Sequence, residues 1–267
     1  MANVYTHGHH EAVLRSHRWR TAENSAGYLL PRLRPGMRVL DVGCGPGTIT
    51  MDLADLVGPG GSVTALERSE DALGLARAEA QRRGTGNVDF LVGDVAALDV
   101  PDASYDVVHA HQVLQHVDDP VRALREMRRV TRPGGVVAAR DSDYEAFAWH
   151  PRLPELDRWL EVYLAVARSH DAEPAAGRVL LSWARAAGFT EVTATSSTWC
   201  FATPEDREWW GGLWADRVVG SDLARHAVST GAATDEELGE LAAGWRRWAQ
   251  ADDGWFSVLH GESLCEV

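Results

Sequence analysis

An α/β fold built on a largely parallel sheet is what this chain's pattern predicts, and three observations carry that expectation. From Met37 onward, short apolar runs alternate with stretches of helical period, the mark of successive βαβ units. The first apolar run ends at Asp41-Val42 and is followed at once by Gly43, Gly45, Gly47 and a helical pattern. With 267 residues and 45% hydrophobic content, the chain can bury one substantial core of this kind with additions.

The elements follow in order. Strands are expected near 37–42, 62–67, 87–92, 104–110 and 135–141, with helices near 47–58, 69–83 and 119–131 between them. The helix at 119–131 places Val121, Leu124, Met127 and Val130 on one stripe, which leaves the arginines of Arg122 to Arg132 as a solvated face. Beyond Asp143 the alternation loosens. Leu153 to Ser169 and Arg178 to Ala187 read as helices, the second closed by Gly188 as a C-cap. Glu191 to Phe201 alternates with β-branched residues and reads as strand six, and Gly254 to Cys265 reads as a final strand. Residues 204–252 form a polar, Trp-rich helical insert. One domain over 1–267 is expected: a cap at 1–35, a core at 36–145, helices and strand six at 145–203, the insert, and the final strand at 253–267.

Charge and cysteine usage narrow the function. The net charge is −13, and every one of the 26 basic residues is arginine. A chain without lysine cannot form a P-loop or an internal Schiff base, and it lacks the Tyr-x-x-x-Lys pair of a short-chain dehydrogenase. Its acidity disfavours DNA and RNA as substrates. No apolar stretch is long enough to span a bilayer, and the start of the chain lacks a signal peptide's apolar segment. Cys44, Cys200 and Cys265 are odd in number and scattered, which suits reduced thiols in the cytoplasm.

The loop after the first strand carries the chemistry. Glycine at alternate positions lets the backbone turn sharply and leaves room for a ligand against the main chain. A dinucleotide loop spaces its glycines G-x-G-x-x-G to seat pyrophosphate on a helix N-terminus. Here the spacing is G-x-G-x-G, and Asp41 precedes it with a charge that repels phosphate and suits a cation.

This run resembles motif I of class I S-adenosylmethionine-dependent methyltransferases, in the flavour of the ubiquinone/menaquinone-type small-molecule enzymes. Four further stretches follow in the family's order: Ser62 to Glu67, Val88 to Val95, Ser104 to His111, and Leu124 to Val130 with Arg132-Pro133-Gly134-Gly135. Together they cover over a third of the chain. The resemblance implies a Rossmann-like sheet of seven strands, the last antiparallel, with helical lid additions. It implies S-adenosyl-L-methionine as cofactor, held by Asp41, Gly43, Cys44, Gly45 and Gly47. Glu67, beside Arg68, would accept both ribose hydroxyls, although an acid there would serve NAD equally. Asp94 would read the adenine amino group beside the N–H of Val95, and His111 would lie by the methionine portion. A nicotinamide-dependent oxidoreductase, NAD(P)-linked on a similar sheet, and a non-catalytic S-adenosylmethionine-binding member are the alternatives.

Methyl transfer needs a base only when the acceptor arrives protonated. His111 and His116 are the candidates after strand four, and His116 reads equally as a structural hydrogen-bonding residue. His109 and His111 share a strand face, so they should not be buried alike unless the strand has ended. Asp141 and Asp143, after strand five, could orient an acceptor hydroxyl or amine. A divalent metal is not expected, because a histidine stands where the metal-using relatives need an acid. The His7, His9 and His10 cluster reads as a polar terminus. Trp209, Trp210 and Trp214 could present one aromatic face to a small-molecule acceptor, or pack the insert onto the core. Arg20, with Tyr5 and His17 nearby, could cap the cofactor's carboxylate. No nucleic acid and no membrane partner is expected, and a homodimer is admitted.

Overall fold

The computed structural model describes residues 11–267; the expectations for Tyr5 and for His7, His9 and His10 fall outside them. In chain order the helices are α1 (Glu11–Arg18), α2 (Ala22–Ala26), α3 (Thr48–Val57), α4 (Glu70–Arg83), α5 (Pro120–Val130), α6 (Pro154–Ser169), α7 (Ala176–Ala186), α8 (Pro204–Gly220), α9 (Asp222–Ser229) and α10 (Asp235–Ala249). The strands are β1 (Arg38–Val42), β2 (Ser62–Glu67), β3 (Val88–Val92), β4 (Tyr105–His111), β5 (Thr131–Ser142), β6 (Ala148–His150), β7 (Val192–Phe201) and β8 (Trp255–Glu266). They group into two compact units. The sheet unit comprises His17–Asp141, Ala176–Ser196 and Gly261–Val267; the aromatic unit comprises Ser142–Ala175 and Ser197–His260 with Glu11–Ser16.

In the sheet unit the strand order is β3-β2-β1-β4-β5-β8, with β7 pairing on β8. The first five strands are parallel. The last is antiparallel: Gly134 N–H donates to the Val267 carbonyl, and Val267 N–H donates to that of Gly135. This is the seven-stranded mixed sheet expected. Alternation along the strands sorts two cores. Leu40, Val42, Val108, Ala110, Val137 and Ala139 pack under α5 and α7, against Leu124, Met127, Val130, Leu180 and Ala184. Val39, Val63, Val107 and Ala138 pack on the other face, against Ala22, Leu29, Ile49, Leu53 and Val57. Helix starts follow local chemistry. Ser69 caps α4, and Asp119 caps α5 ahead of Pro120, each accepting an orphan N–H of the first turn.

Two details depart from the expectation. β5 begins at Thr131, not near 135, because the chain leaves α5 already extended and pairs Thr131 with Tyr105. The register then shifts, and Gly134 at φ 78° takes up the irregularity. His109 and His111 are both buried within β4, at 0% and 5% exposure. The strand is central and covered on both faces, so a polar row runs inside the sheet unit: Asp41 lies opposite His109 and His111 opposite Arg140.

The aromatic unit is built differently. α6 turns Leu156, Trp159, Tyr163 and Val166 inward at helical spacing. Trp159 meets Trp214 edge-on with centroids 4.5 Å apart and Trp245 at 4.9 Å, while Trp214 and Trp245 stack at 5.9 Å. α8 and α10 approach closely at Gly211, where a Cβ would stand 2.8 Å from the Ala249 Cβ and 2.9 Å from the Trp245 carbonyl. The three-residue β6 pairs antiparallel with β8. A Thr203–Asp206 capping box and Pro204 start α8.

Candidate cofactor site

The site grows from the turn out of β1. Gly43, Gly45 and Gly47 all adopt positive φ, at 66°, 52° and 81°, which L side chains rarely tolerate. Their surroundings separate their roles. A Cβ on Gly43 would stand 2.5 Å from Val113 Cγ2, and one on Gly47 would stand 2.9 Å from the Ala76 Cβ. Those two glycines let neighbouring elements close in. At Gly45, among the described residues, only His17 Nδ1 comes within reach, at 3.8 Å, so against those residues this stretch of backbone leaves room for a ligand.

The loop is held onto β2. Gly43 and Cys44 N–H groups donate to the Leu66 carbonyl at 2.8 and 3.1 Å. Glu67, at the end of β2, accepts from Gly45 N–H at 3.3 Å, Arg68 N–H at 2.7 Å and Ser69 N–H at 3.3 Å. Three amides thus fix a carboxylate beside the open glycine. Farther along, Asp94 accepts from Ala96 N–H at 2.9 Å, Arg68 approaches it at 3.9 Å, and Val95 is buried. From the amino-terminal side, Thr48 Oγ1 donates to the His17 carbonyl at 3.2 Å, and Arg20 donates to Gln112 Oε1 at 2.6 Å.

Asp41 is turned inward. Thr50 Oγ1 donates to one oxygen at 2.6 Å, and His109 Nδ1 lies 2.8 Å from the other. It acts as a tie under the loop. Cys44 is a small half-buried turn residue whose thiol is pushed up by burial and by the nearby Asp41 and Glu67 charges. His116 is half-buried, and loss of solvent around its ring with the nearby Arg20 charge lowers its pKa to about 4. Gln115 Nε2 lies 2.9 Å from its Nε2. Asp141 is buried too, and burial raises its carboxyl to about 7 against the pull of the Gln115 and Leu114 amides and Arg140.

The sheet unit therefore gathers Arg20, Asp41, Gly43, Cys44, Gly45, Gly47, Glu67, Arg68, Asp94, Val95, His111 and His116 around one strand edge. Asp143 and the three tryptophans belong to the aromatic unit. Asp143 is buried, and its N–H donates to the Leu259 carbonyl at 3.0 Å. Trp210 and Trp214, four apart on α8, both point into the aromatic core, at 5% and 0% exposure. Trp209, a helical step round, is half-buried and lies 5.8 Å from the Phe201 ring. The single open aromatic face expected of the three is thus divided, because neighbouring helix positions point about 100° apart. Gln112, which holds Arg20 and adopts a left-handed φ of 54°, is a participant the pattern does not announce. Among the described residues, no group of three or more His, Cys, Asp or Glu is placed to hold a metal.

A seven-stranded sheet of this order, with a glycine cradle at β1 and a carboxylate at the end of β2, defines a class I S-adenosylmethionine-dependent methyltransferase. A methyltransferase domain model matches residues 33–183, and the chain belongs to that family. It is 35% identical to an uncharacterised methyltransferase of Schizosaccharomyces pombe, over 97% of this chain and 94% of that one. It is 36% identical to the demethylmenaquinone methyltransferase of Lactococcus lactis over 48% of each chain. Among solved structures, phosphoethanolamine N-methyltransferase 2 of Haemonchus contortus, in complex with phosphomonomethylethanolamine and S-adenosylhomocysteine, shares the fold. The TM-score is 0.57 at 19% identity, over 90% of this chain and 51% of that one. The cofactor is S-adenosylmethionine, and the cradle fits it: open backbone at Gly45 and a carboxylate at Glu67 suit hydroxyls and a cation, not phosphate. The oxidoreductase alternative is set aside.

Proposed function

We propose that this chain transfers a methyl group from S-adenosylmethionine to an O, N or C atom of a small-molecule acceptor, in the cytoplasm. The observation that carries the acceptor class is the condition of the arginines on and after α5, the most basic stretch of a chain of net charge −13. Arg129 is bonded to Asp102 and Glu126, and Arg132 to Asp106. Arg125 donates to the Ala186 carbonyl at 3.0 Å, and Arg128 lies over the Phe189 ring at 5.5 Å. A nucleic-acid backbone requires a row of guanidiniums free to neutralise phosphates. Here most are engaged with neighbours. Among the described residues no helix is long and apolar enough to cross a membrane, and all three cysteines are free, which supports a reducing compartment.

When bound, the cofactor supplies a methyl group on a positively charged sulfur, open to in-line attack. The protein's part is alignment. Glu67, fixed by three amides, accepts hydrogen bonds from hydroxyls, and Gly45 leaves the main chain accessible. Arg20, braced on Gln112, offers a guanidinium to a carboxylate. His116, neutral near pH 7, orients by hydrogen bonding and is a poor proton acceptor there. These roles favour an acceptor whose attacking atom is already nucleophilic.

A thermal-shift series with S-adenosylmethionine, S-adenosylhomocysteine and NADH tests the cofactor, since a ligand of the folded state raises its melting temperature. Incubating the protein with a metabolite extract, an RNA and DNA fraction, and a protein fraction, each with methyl-labelled cofactor, tests the acceptor. Label is expected in the metabolite fraction. Label confined to nucleic acid or protein overturns the reading.

A further inference from the structure

The strand end at β4, the turn after it and the cofactor loop form one connected assembly. Gln112 N–H donates to the Arg140 carbonyl at 2.7 Å. Val113 packs on Gly43 so closely that no Cβ fits there. Leu114–His116 then form a 3-10 turn without a side-chain cap of their own. Beneath the turn lies Asp141, fully buried at the end of β5. One of its oxygens accepts from Gln115 N–H at 3.1 Å; the other is buried and has no hydrogen-bond partner among the described residues. A bare carboxylate oxygen in that position would be costly, whereas a protonated one is tolerable.

We propose, on the cofactor reading above, that Asp141 is a positioning residue for the cofactor loop: its neutral carboxyl holds the Leu114–His116 turn, and through Val113 the turn holds Gly43. Losing the proton strengthens the bond from Gln115 N–H, but it leaves a buried charge whose second oxygen draws water or another donor beneath the turn, and we expect the loop to slacken with it. Charged and titratable groups reach the neighbourhood of Asp141 from several elements, among them His111 at the end of β4, opposite Arg140. Arg140 precedes it on β5 and is engaged by Glu262 from β8 at 3.3 Å. Tyr28, after α2, feels the Asp141 charge, and His116 stands on the turn itself. Burial outweighs the Arg140 attraction, so the proton is exchanged near neutrality, at about 7.

The test is titration calorimetry with S-adenosylhomocysteine at about pH 6 and about pH 8.5, on either side of that value. For the wild-type protein we expect affinity to fall about tenfold between the two conditions, a change of about 1.4 kcal/mol. Asp141→Asn, which copies the neutral carboxyl, should bind equally at both and match wild type at the lower pH. Asp141→Ala should bind weakly at both. Parallel pH profiles for wild type and Asp141→Asn, or an alanine variant that binds as wild type does, overturn the proposal. Should the alanine variant not fold, the asparagine comparison decides alone. Infrared difference spectra of the unliganded proteins, wild type minus Asp141→Asn, separate this idea from the cofactor reading. A protonated-carboxyl carbonyl band should be present near pH 6 and gone near pH 8.5. If no S-adenosylhomocysteine binding is found at any pH, the cofactor reading fails, and a missing band near pH 6 sinks the Asp141 assignment independently.

Discussion

The two units fill the middle of their interiors differently. Inside the sheet unit, between aliphatic layers, runs a polar row of Asp41, His109, His111, Arg140 and Asp141, each buried to 5% exposure or less. The interior of the aromatic unit is dominated by rings: Trp159, Trp214, Trp245, Trp248 and Phe256 are each at most 1% exposed and pack by edge-to-face, tilted and stacked contacts. Burying polar groups costs free energy unless partners are arranged, so a sheet that keeps them spends stability on position. Ring burial returns free energy through area and dispersion. The contrast teaches where to expect function to fail before folding, and where folding fails first.

The largest effect is expected from Trp214→Ala, which removes a fully buried indole from the middle of the ring cluster. Loss of about 3–5 kcal/mol is expected, read by urea unfolding. If S-adenosylhomocysteine affinity survives in whatever fraction remains folded, the division of labour stands; a variant of wild-type stability breaks it. Gly43→Ala comes next. Its Cβ collides with Val113 at a positive φ, so cofactor binding should be lost together with about 1–3 kcal/mol of stability. Retained affinity would mean the loop has slack that the packing does not show. Glu67→Ala should separate the two quantities. Affinity falls more than tenfold, as hydrogen bonds to a charged group contribute about 1.5–3 kcal/mol each, while the melting temperature moves little. Trp209→Ala, at the half-buried edge of the cluster, is expected to cost stability about 1 kcal/mol or less. A raised acceptor KM in that variant, with cofactor affinity unchanged, is the outcome under which the insert recognises the acceptor. The smallest effect belongs to Arg77→Ala. Its exposed pair with Glu70 contributes about 0–1 kcal/mol, and both units should behave as in wild type.

Stability against pH sharpens the same contrast. Asp141 has its folded pKa raised to about 7, so the unfolded chain releases this proton first as pH rises. Its contribution therefore makes stability fall with rising pH from about 4 to about 7, at up to about 1.4 kcal/mol per unit. Asp141→Asn should flatten that slope. An unchanged slope would place the titrating group elsewhere.

Most of the fold was legible because period and punctuation agree: Val39 to Val42, Ser62 to Glu67 and the α5 stripe each lie within a residue or two of their expected limits. Capping residues such as Ser69 and Asp119 mark boundaries by a local mechanism, which a sequence displays directly. What stayed hidden depends on partners far along the chain. The β5 start at Thr131 is set by Tyr105, and the short β6 exists only because β8 pairs with it. At the site, the spacing singled out Gly45 and Glu67, and the structure brings them together, with Gly45 N–H donating to the Glu67 carboxylate. It could not show that Asp41 is absorbed by Thr50 and His109, or that one oxygen of Asp141 is stranded. Those are facts of three-dimensional satisfaction, and no periodicity encodes them.

The ring cluster also makes the molecule its own spectrometer. Of the 11 tryptophans, all but Trp19 and Trp183 lie in the aromatic unit. Intrinsic emission and near-ultraviolet dichroism will therefore report almost entirely on that unit, while the half that carries the glycine loop stays nearly dark. Following fluorescence alongside S-adenosylhomocysteine binding during denaturant titration then asks directly whether the halves melt together, since coincident transitions are the test of a single cooperative step. No label needs to be added, and with no lysine in the chain, amine chemistry would have had few places to put one.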